Sequence, residues 1–167
     1  MHTPTPAGAS SPTDDVRTRS LELDRALHPA RAPRLGHVAL PAQRPVELAG
    51  FYRELLGLEL VRTADNELGG TMALLSGAPR EEDHELVFLT RPEAAHVALR
   101  VRRAADLARI HDRLRERNVE VITALDVGHA LSVFIRDPEG NIVELYCATG
   151  RPRLEQPRAL DLDRERQ

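Results

Sequence analysis

A four-residue string that occurs twice constrains the fold of this chain more than any other feature. Leu35-Gly36-His37-Val38-Ala39-Leu40 and Ala94-Ala95-His96-Val97-Ala98-Leu99 share the tetrad H-V-A-L, and the two histidines are 59 residues apart. The segment after each tetrad is repeated as well. In Pro45–Leu56 the apolar residues Leu48, Phe51, Tyr52 and Leu55 fall at i, i+3, i+4 and i+7, one face of a helix. In Ala104–Arg117 the stripe is Leu107, Ile110 and Leu114, with Arg, Asp and Glu opposite. Gly57 and Asn118 stand where a helix closes on a left-handed residue. The alternating runs L-E-L-V (58–61) and V-E-V-I (119–122) then predict a strand in each half.

Two more strands are expected per half: 71–75 and 85–90 in the first, 131–135 and 142–147 in the second. R-D-P-E-G-N joins the last pair, its Pro and Gly marking a tight turn. The body therefore reads βαβββ twice, an α+β fold. A repeat of this length is one supersecondary unit that cannot cover its own sheet. Two such units are expected to pair into one curved mixed sheet around a shared cleft.

The 167 residues suffice for one domain with a real core. Residues 1–33, rich in Pro, Ser, Thr and charge, are expected to be disordered apart from a short helix around Val16–Leu27. The folded body is expected at 34–150, with module one at 34–92 and module two at 93–150. Residues 151–167 form a charged tail with little to bury. A net charge of -3 gives no basic footprint for nucleic acid. No apolar run approaches the roughly 20 residues that span a bilayer, and the N-terminus lacks the pattern of a signal peptide. One cysteine, Cys147, excludes an internal disulfide and fits a reducing compartment. A cytoplasmic location is expected.

The repeated histidines are the first candidates for chemistry. Taken alone, either is a buried core residue satisfied by backbone carbonyls. Two at the same repeat position favour a shared task, because packing has no need of paired imidazoles. Glu144 lies mid-strand among apolar residues, where an unpaired charge costs several kcal/mol. A metal would neutralise it, as would a buried ion pair with one of the many arginines. Alternation places Glu144 and Tyr146 on one face, Val143 and Leu145 on the other. Aligning H-E-L-V-F-L-T (84–90) on N-I-V-E-L-Y-C (141–147) sets Val87 opposite Glu144. The predicted sphere is thus His37, His96 and Glu144, with no fourth ligand. Two histidines and one carboxylate suit iron(II); manganese(II) or zinc(II) are alternatives.

With G-H-V-A-L and F-Y-R-E-L-L-G-L, then A-A-H-V-A-L, then R-D-P-E-G-N-I-V-E-L-Y, the body resembles the vicinal oxygen chelate superfamily. That group includes glyoxalase I, fosfomycin-resistance thiol transferases and extradiol ring-cleaving dioxygenases. The resemblance covers about 115 of the 167 residues. Glyoxalase I-like members keep a carboxylate near the Val87 position, so Val87 weakens that reading. Fosfomycin transferases share the three-ligand set.

His84, in D-H-E-L-V-F, resembles the histidine that in extradiol dioxygenases acts as acid/base for the bound catechol; its plainer reading is an exposed residue after the charged Glu81-Glu82-Asp83. His129, in D-V-G-H-A-L-S-V-F, is similar in place to a further active-site histidine, at a shifted register. Phe134 stands where such relatives usually carry a Tyr. The resemblance implies an iron(II) dioxygenase acting on a small catechol-like aromatic with O2, assembled as a homodimer. The alternatives are a metal-dependent transferase or isomerase on the same scaffold, or a binding module without chemistry. Cys147 is expected to be a small buried hydrophobe, His111 to be solvated on a polar helix face, and Phe51 and Tyr52 to pack the core.

Overall fold

Pro45 opens the first helix because a missing N–H costs nothing at that position, and Gly57 closes it at φ 71°. In the computed structural model, which describes residues 32–66 and 70–166, the chain runs β1 (Arg34–Pro41), α1 (Pro45–Leu56), β2 (Glu59–Asn66), β3 (Gly70–Ser76) and β4 (Leu86–Leu89). It then repeats the series as β5 (His96–Arg100), α2 (Ala104–Glu116), β6 (Val121–Asp126), β7 (Ala130–Arg136) and β8 (Ile142–Ala148). Asn118 comes just after α2, at φ 54°. The residues assigned to an N-terminal helix, Val16–Leu27, lie outside the described residues.

A last short strand, β9 (Arg158–Ala159), lies in the C-terminal segment. All strands join one mixed, curved, unclosed sheet in the order β2-β3-β4-β1-β5-β8-β7-β6-β9. The halves meet along an antiparallel seam between β1 and β5, where His37 faces Ala98 and Ala39 faces His96. Within each half the first and last strands are parallel. Ala39 pairs with Val87, and Ala98 pairs with Glu144. Each alanine is two residues beyond its histidine, so Val87 and Glu144 occupy equivalent places, as the repeat alignment requires.

The equivalence extends outward. Val87 pairs with Leu74 and Leu74 with Arg62, while Glu144 pairs with Phe134 and Phe134 with Thr123. The ladder slips between Leu60 and Arg62 and again between Val121 and Thr123. The bulged residues, Val61 and Ile122, are exposed. A bulge adds one unpaired residue and sharpens the local twist, so each module bends its sheet at the same step.

The helices cover the convex face. Ala49 of α1 clusters with Ala73, Leu75 and Phe88 of the sheet; Leu107 and Ala108 of α2 cluster with Val133, Leu145 and Cys147. Tyr52 packs on Phe88 with ring centroids 5.0 Å apart. Phe51, expected in the core, is instead 55% exposed on the outer side of α1. A 12-residue helix has one face toward the sheet, and Ala49, Leu48 and Tyr52 occupy it.

The C-terminal segment also departs from expectation. Its strand β9 extends the edge at β6, and Leu162 is buried at 6% exposure beside Leu107 and Val101. The segment contributes to that core only Leu162, with Leu160 packed nearby, too sparse a signal to show as periodicity. Among the described residues no helix is long and apolar enough to cross a membrane.

Candidate metal centre

Register alone puts His37, His96 and Glu144 on the concave face, because directly paired residues share a face of the sheet. Glu144 is held in phase by the turn before β8. The Asp137 carboxylate accepts from the backbone N–H of Glu139 and Asn141 at 3.0 and 2.8 Å, and from the Asn141 side chain at 2.8 Å. Those bonds hold its carboxyl below the usual range. Gly140 takes φ 87° there, a conformation that suits glycine.

The three side chains converge on one point. His37 Nε2 lies 3.1 Å from His96 Nε2, and each lies 3.2 Å from the same oxygen, Glu144 Oε2. Glu144 and His37 are buried, each 7% exposed. The other carboxylate oxygen, Oε1, accepts a hydrogen bond from Ser132 at 2.6 Å. Burial alone would raise the Glu144 carboxyl, yet hydrogen bonding with His37, His96 and Ser132 holds it well below the usual carboxylate range. Burial opposes charge on His96 too, but the Glu144 carboxylate and the Ala94 carbonyl together push its pKa up.

This donor set suits a divalent cation. Donors about 2.1 Å from a shared ion stand about 3.0–3.4 Å from each other at right-angled or tetrahedral spacing. The observed triangle falls within that range. His96 Nδ1 lies 2.8 Å from the Ala94 carbonyl, which requires Nδ1–H and leaves a lone pair on Nε2, the tautomer a ligand needs. No other group of three or more His, Cys, Asp or Glu side chains so arranged occurs among the described residues.

His84 lies against this group. Its ring centroid is 4.3 Å from that of His37, and its Nδ1 is 2.8 Å from Asp83 Oδ2. Burial lowers its pKa, with the neighbouring His37 adding to the effect and Asp83 opposing it. The reading of His84 as an exposed residue does not describe this placement, since only 14% of the side chain is exposed. His129 sits in the turn into β7, its Nδ1 3.3 Å from the Val127 carbonyl. Burial and the Arg153 charge lower its pKa. Phe134 contacts His96 edge-on at 5.6 Å between centroids and offers no hydroxyl.

Several polar groups of the cleft have no local sequence signal. Tyr146 shares the face of Glu144, and its hydroxyl donates to Glu82 Oε1 at 2.7 Å. Arg100 reaches the other Glu82 oxygen at 2.5 Å. Burial and the Glu82 carboxylate push the Tyr146 phenol pKa up. Gly36 is required here: a Cβ on it would overlap the Tyr146 hydroxyl. Glu82, Ser132, Arg62 and Arg153 come into the cleft through pairings distant in sequence. Cys147 is buried on the convex side, as expected, and burial raises its thiol.

The sequence profile of the Glyoxalase/Bleomycin resistance protein/Dioxygenase superfamily matches residues 34–145. Among solved structures, BphC, a halotolerant catechol dioxygenase, is similar at 22% identity and TM-score 0.59, over 73% of this chain and 42% of that one. A catechol 2,3-dioxygenase is similar at 26% identity and TM-score 0.55, with the same coverage of 73% and 42%. A methylmalonyl-CoA epimerase of Streptomyces coelicolor is similar at 21% identity and TM-score 0.53, over 71% of this chain and 99% of that one. The chain thus spans less than half the length of these dioxygenases and nearly all of the epimerase. A search of curated protein sequences finds no match.

Proposed function

Because the chain belongs to the Glyoxalase/Bleomycin resistance protein/Dioxygenase superfamily, we propose that it is a metal-dependent enzyme that opens a catechol-like aromatic ring with O2. The observation that carries this reading is the convergence of His37, His96 and Glu144 on one point, with a third imidazole, His84, packed against His37. His37, His96 and Glu144 would hold iron(II), which when bound supplies the redox chemistry that joins an aromatic diol to dioxygen. Manganese(II) and zinc(II) suit the same donors.

The remaining steps fall to side chains. Asp83 accepts from His84 Nδ1–H, so the basic lone pair of His84 is on Nε2. That nitrogen takes a proton from a substrate hydroxyl and returns it after the ring has opened. His129 would steady negative charge on the reacting oxygen, which needs its Nε2–H tautomer; the 3.3 Å contact of Nδ1 with Val127 is long enough to give way. Phe134, edge-on to His96, supplies an apolar flank to the site.

A metal-dependent isomerase or transferase is the second reading, and the match to nearly the whole length of an epimerase supports it. Val87, apolar at the place equivalent to Glu144, argues against it where a second carboxylate is needed. Anaerobic loading with iron(II), then air and a panel of catechols, separates the two. One O2 consumed per catechol, with a yellow ring-opened product, supports ring cleavage. No uptake across the panel, together with thiol addition to an epoxide, supports the alternative. A third outcome, no bound metal and no gain in melting temperature with iron(II) or manganese(II), favours a binding module.

A further inference from the structure

We propose that the cleft carries an anion subsite built on Arg62 and Arg153, and that the substrate bears a carboxylate on the side of the ring away from the metal-binding oxygens. The proposal rests on the ring-cleavage reading for the identity of the ring, but not for the subsite itself. Arg62 lies in the same cross-strand row as Leu74, Val87 and Ala39, so its side chain starts from the concave face that holds the three candidate ligands. Its Nε is buried and has no hydrogen-bond partner among the described residues. A buried guanidinium nitrogen without a partner is costly, and nearly all such groups in folded proteins find one.

Arg153 approaches from the other half. Leu154 N–H donates to the Val127 carbonyl at 3.0 Å, and the chain at Pro152–Leu154 is pressed against Gly128, where any Cβ would collide with it. This fixes Arg153 beside His129. Among the described residues it makes no hydrogen bond or ion pair. The electrostatics agree with the placement: the Arg62 charge is felt at Asp83, His84, His129 and Arg153, and burial together with Arg62 lowers the Arg153 pKa.

Asp83 is the nearby compensating charge, and its carboxylate already holds His84. Glu82 is taken by Arg100 and Tyr146. Two guanidiniums against one shared carboxylate leave a single positive charge in the cleft. A monoanion answers it, and the planar fork of an arginine matches a carboxylate. A neutral substrate would leave the Arg62 nitrogen as it stands.

The test is equilibrium binding to the full-length, metal-loaded protein by calorimetry under argon, so that no turnover is needed. The probes are 4-methylcatechol, 3-(3,4-dihydroxyphenyl)propanoate and the non-chelating 3-phenylpropanoate. The dihydroxy acid is expected to bind at least tenfold tighter than 4-methylcatechol, and 3-phenylpropanoate to bind measurably. Arg153→Gln, at a residue only partly shielded from solvent, is expected to bring the tenfold preference close to one, and Arg62→Gln to do the same. Equal affinity for the acid and the neutral catechol overturns the subsite, as does a preference that survives Arg153→Gln. Binding by none of the three probes overturns it too.

Admitting air then separates this idea from the one it rests on. An arginine-dependent preference without ring opening leaves the subsite standing and ends the ring-cleavage reading. Ring opening with equal kcat/KM for the acid and the neutral catechol does the reverse.

Discussion

The two halves of this molecule share one plan and differ where it matters. Both carry a histidine on the first strand, an alanine two residues later, and a bulge at the same step of the second strand. At the next equivalent place one half has Val87 and the other Glu144; further out, Leu74 corresponds to Phe134 and Arg62 to Thr123. The linkers before the last strands differ as well. In module two, residues 137–141 form a tight turn tied to Asp137, whereas in module one residues 77–85 form a longer loop that brings Glu82, Asp83 and His84 to the cleft. Duplication gave a symmetric frame, and the chemistry lies in the departures from it. Module two holds the carboxylate that would bind a cation; module one holds His84, the imidazole proposed as the base beside it.

Substitutions can break that division of labour. The largest effect is expected at Glu144. Glu144→Ala should abolish stoichiometric iron(II) or manganese(II) binding, measured by metal analysis after dialysis, while Val87→Ala at the equivalent place retains it. Retention by both variants would show that the carboxylate is not a ligand.

His84→Gln should slow turnover by about 10²–10⁴-fold, the usual span for a lost acid/base group, with metal content unchanged. Asn141→Ala, at the aligned position in module two, should leave kcat within about threefold. If the two variants behave alike, the asymmetry assigned to the linkers is wrong.

A smaller loss is expected from Ser132→Ala. The Ser132 hydroxyl fixes the second oxygen of Glu144, and partners of this type support metal affinity by about 10–100-fold. Titration with a chelator of known affinity measures it. The smallest effect is expected from Gly140→Ala, because a left-handed non-glycine residue costs about 1–2 kcal/mol. Urea denaturation should show that loss, with metal affinity in the refolded protein nearly unchanged.

The repeated H-V-A-L tetrads and the periodicities after them were enough to place ten of the strands and helices and to offset Val87 against Glu144, because those signals are local or duplicated. The three candidate ligands were legible for the same reason. What escaped depends on contacts across the sheet. The bond between Tyr146 and Glu82 joins residues 64 apart, and Arg62 reaches the cleft only because β2 pairs with β3 with a slip at Val61. No spacing rule reports such a meeting. Phe51 fits a helical stripe wider than the strip the sheet covers, so periodicity alone placed it inside. Leu162 is a single anchor in a charged segment, and one residue has no period.

The seam between β1 and β5 runs through the middle of the candidate centre, since His37 comes from one side of it and His96 and Glu144 from the other. An ion gripped there would work as a rivet across the joint. The halves could then not splay or shear past each other without stretching a coordinate bond, so stiffness of the cleft and occupancy of the centre would become one property. Amide exchange along β1 and β5 is expected to slow together when the ion enters, and by more than at β2 or β6.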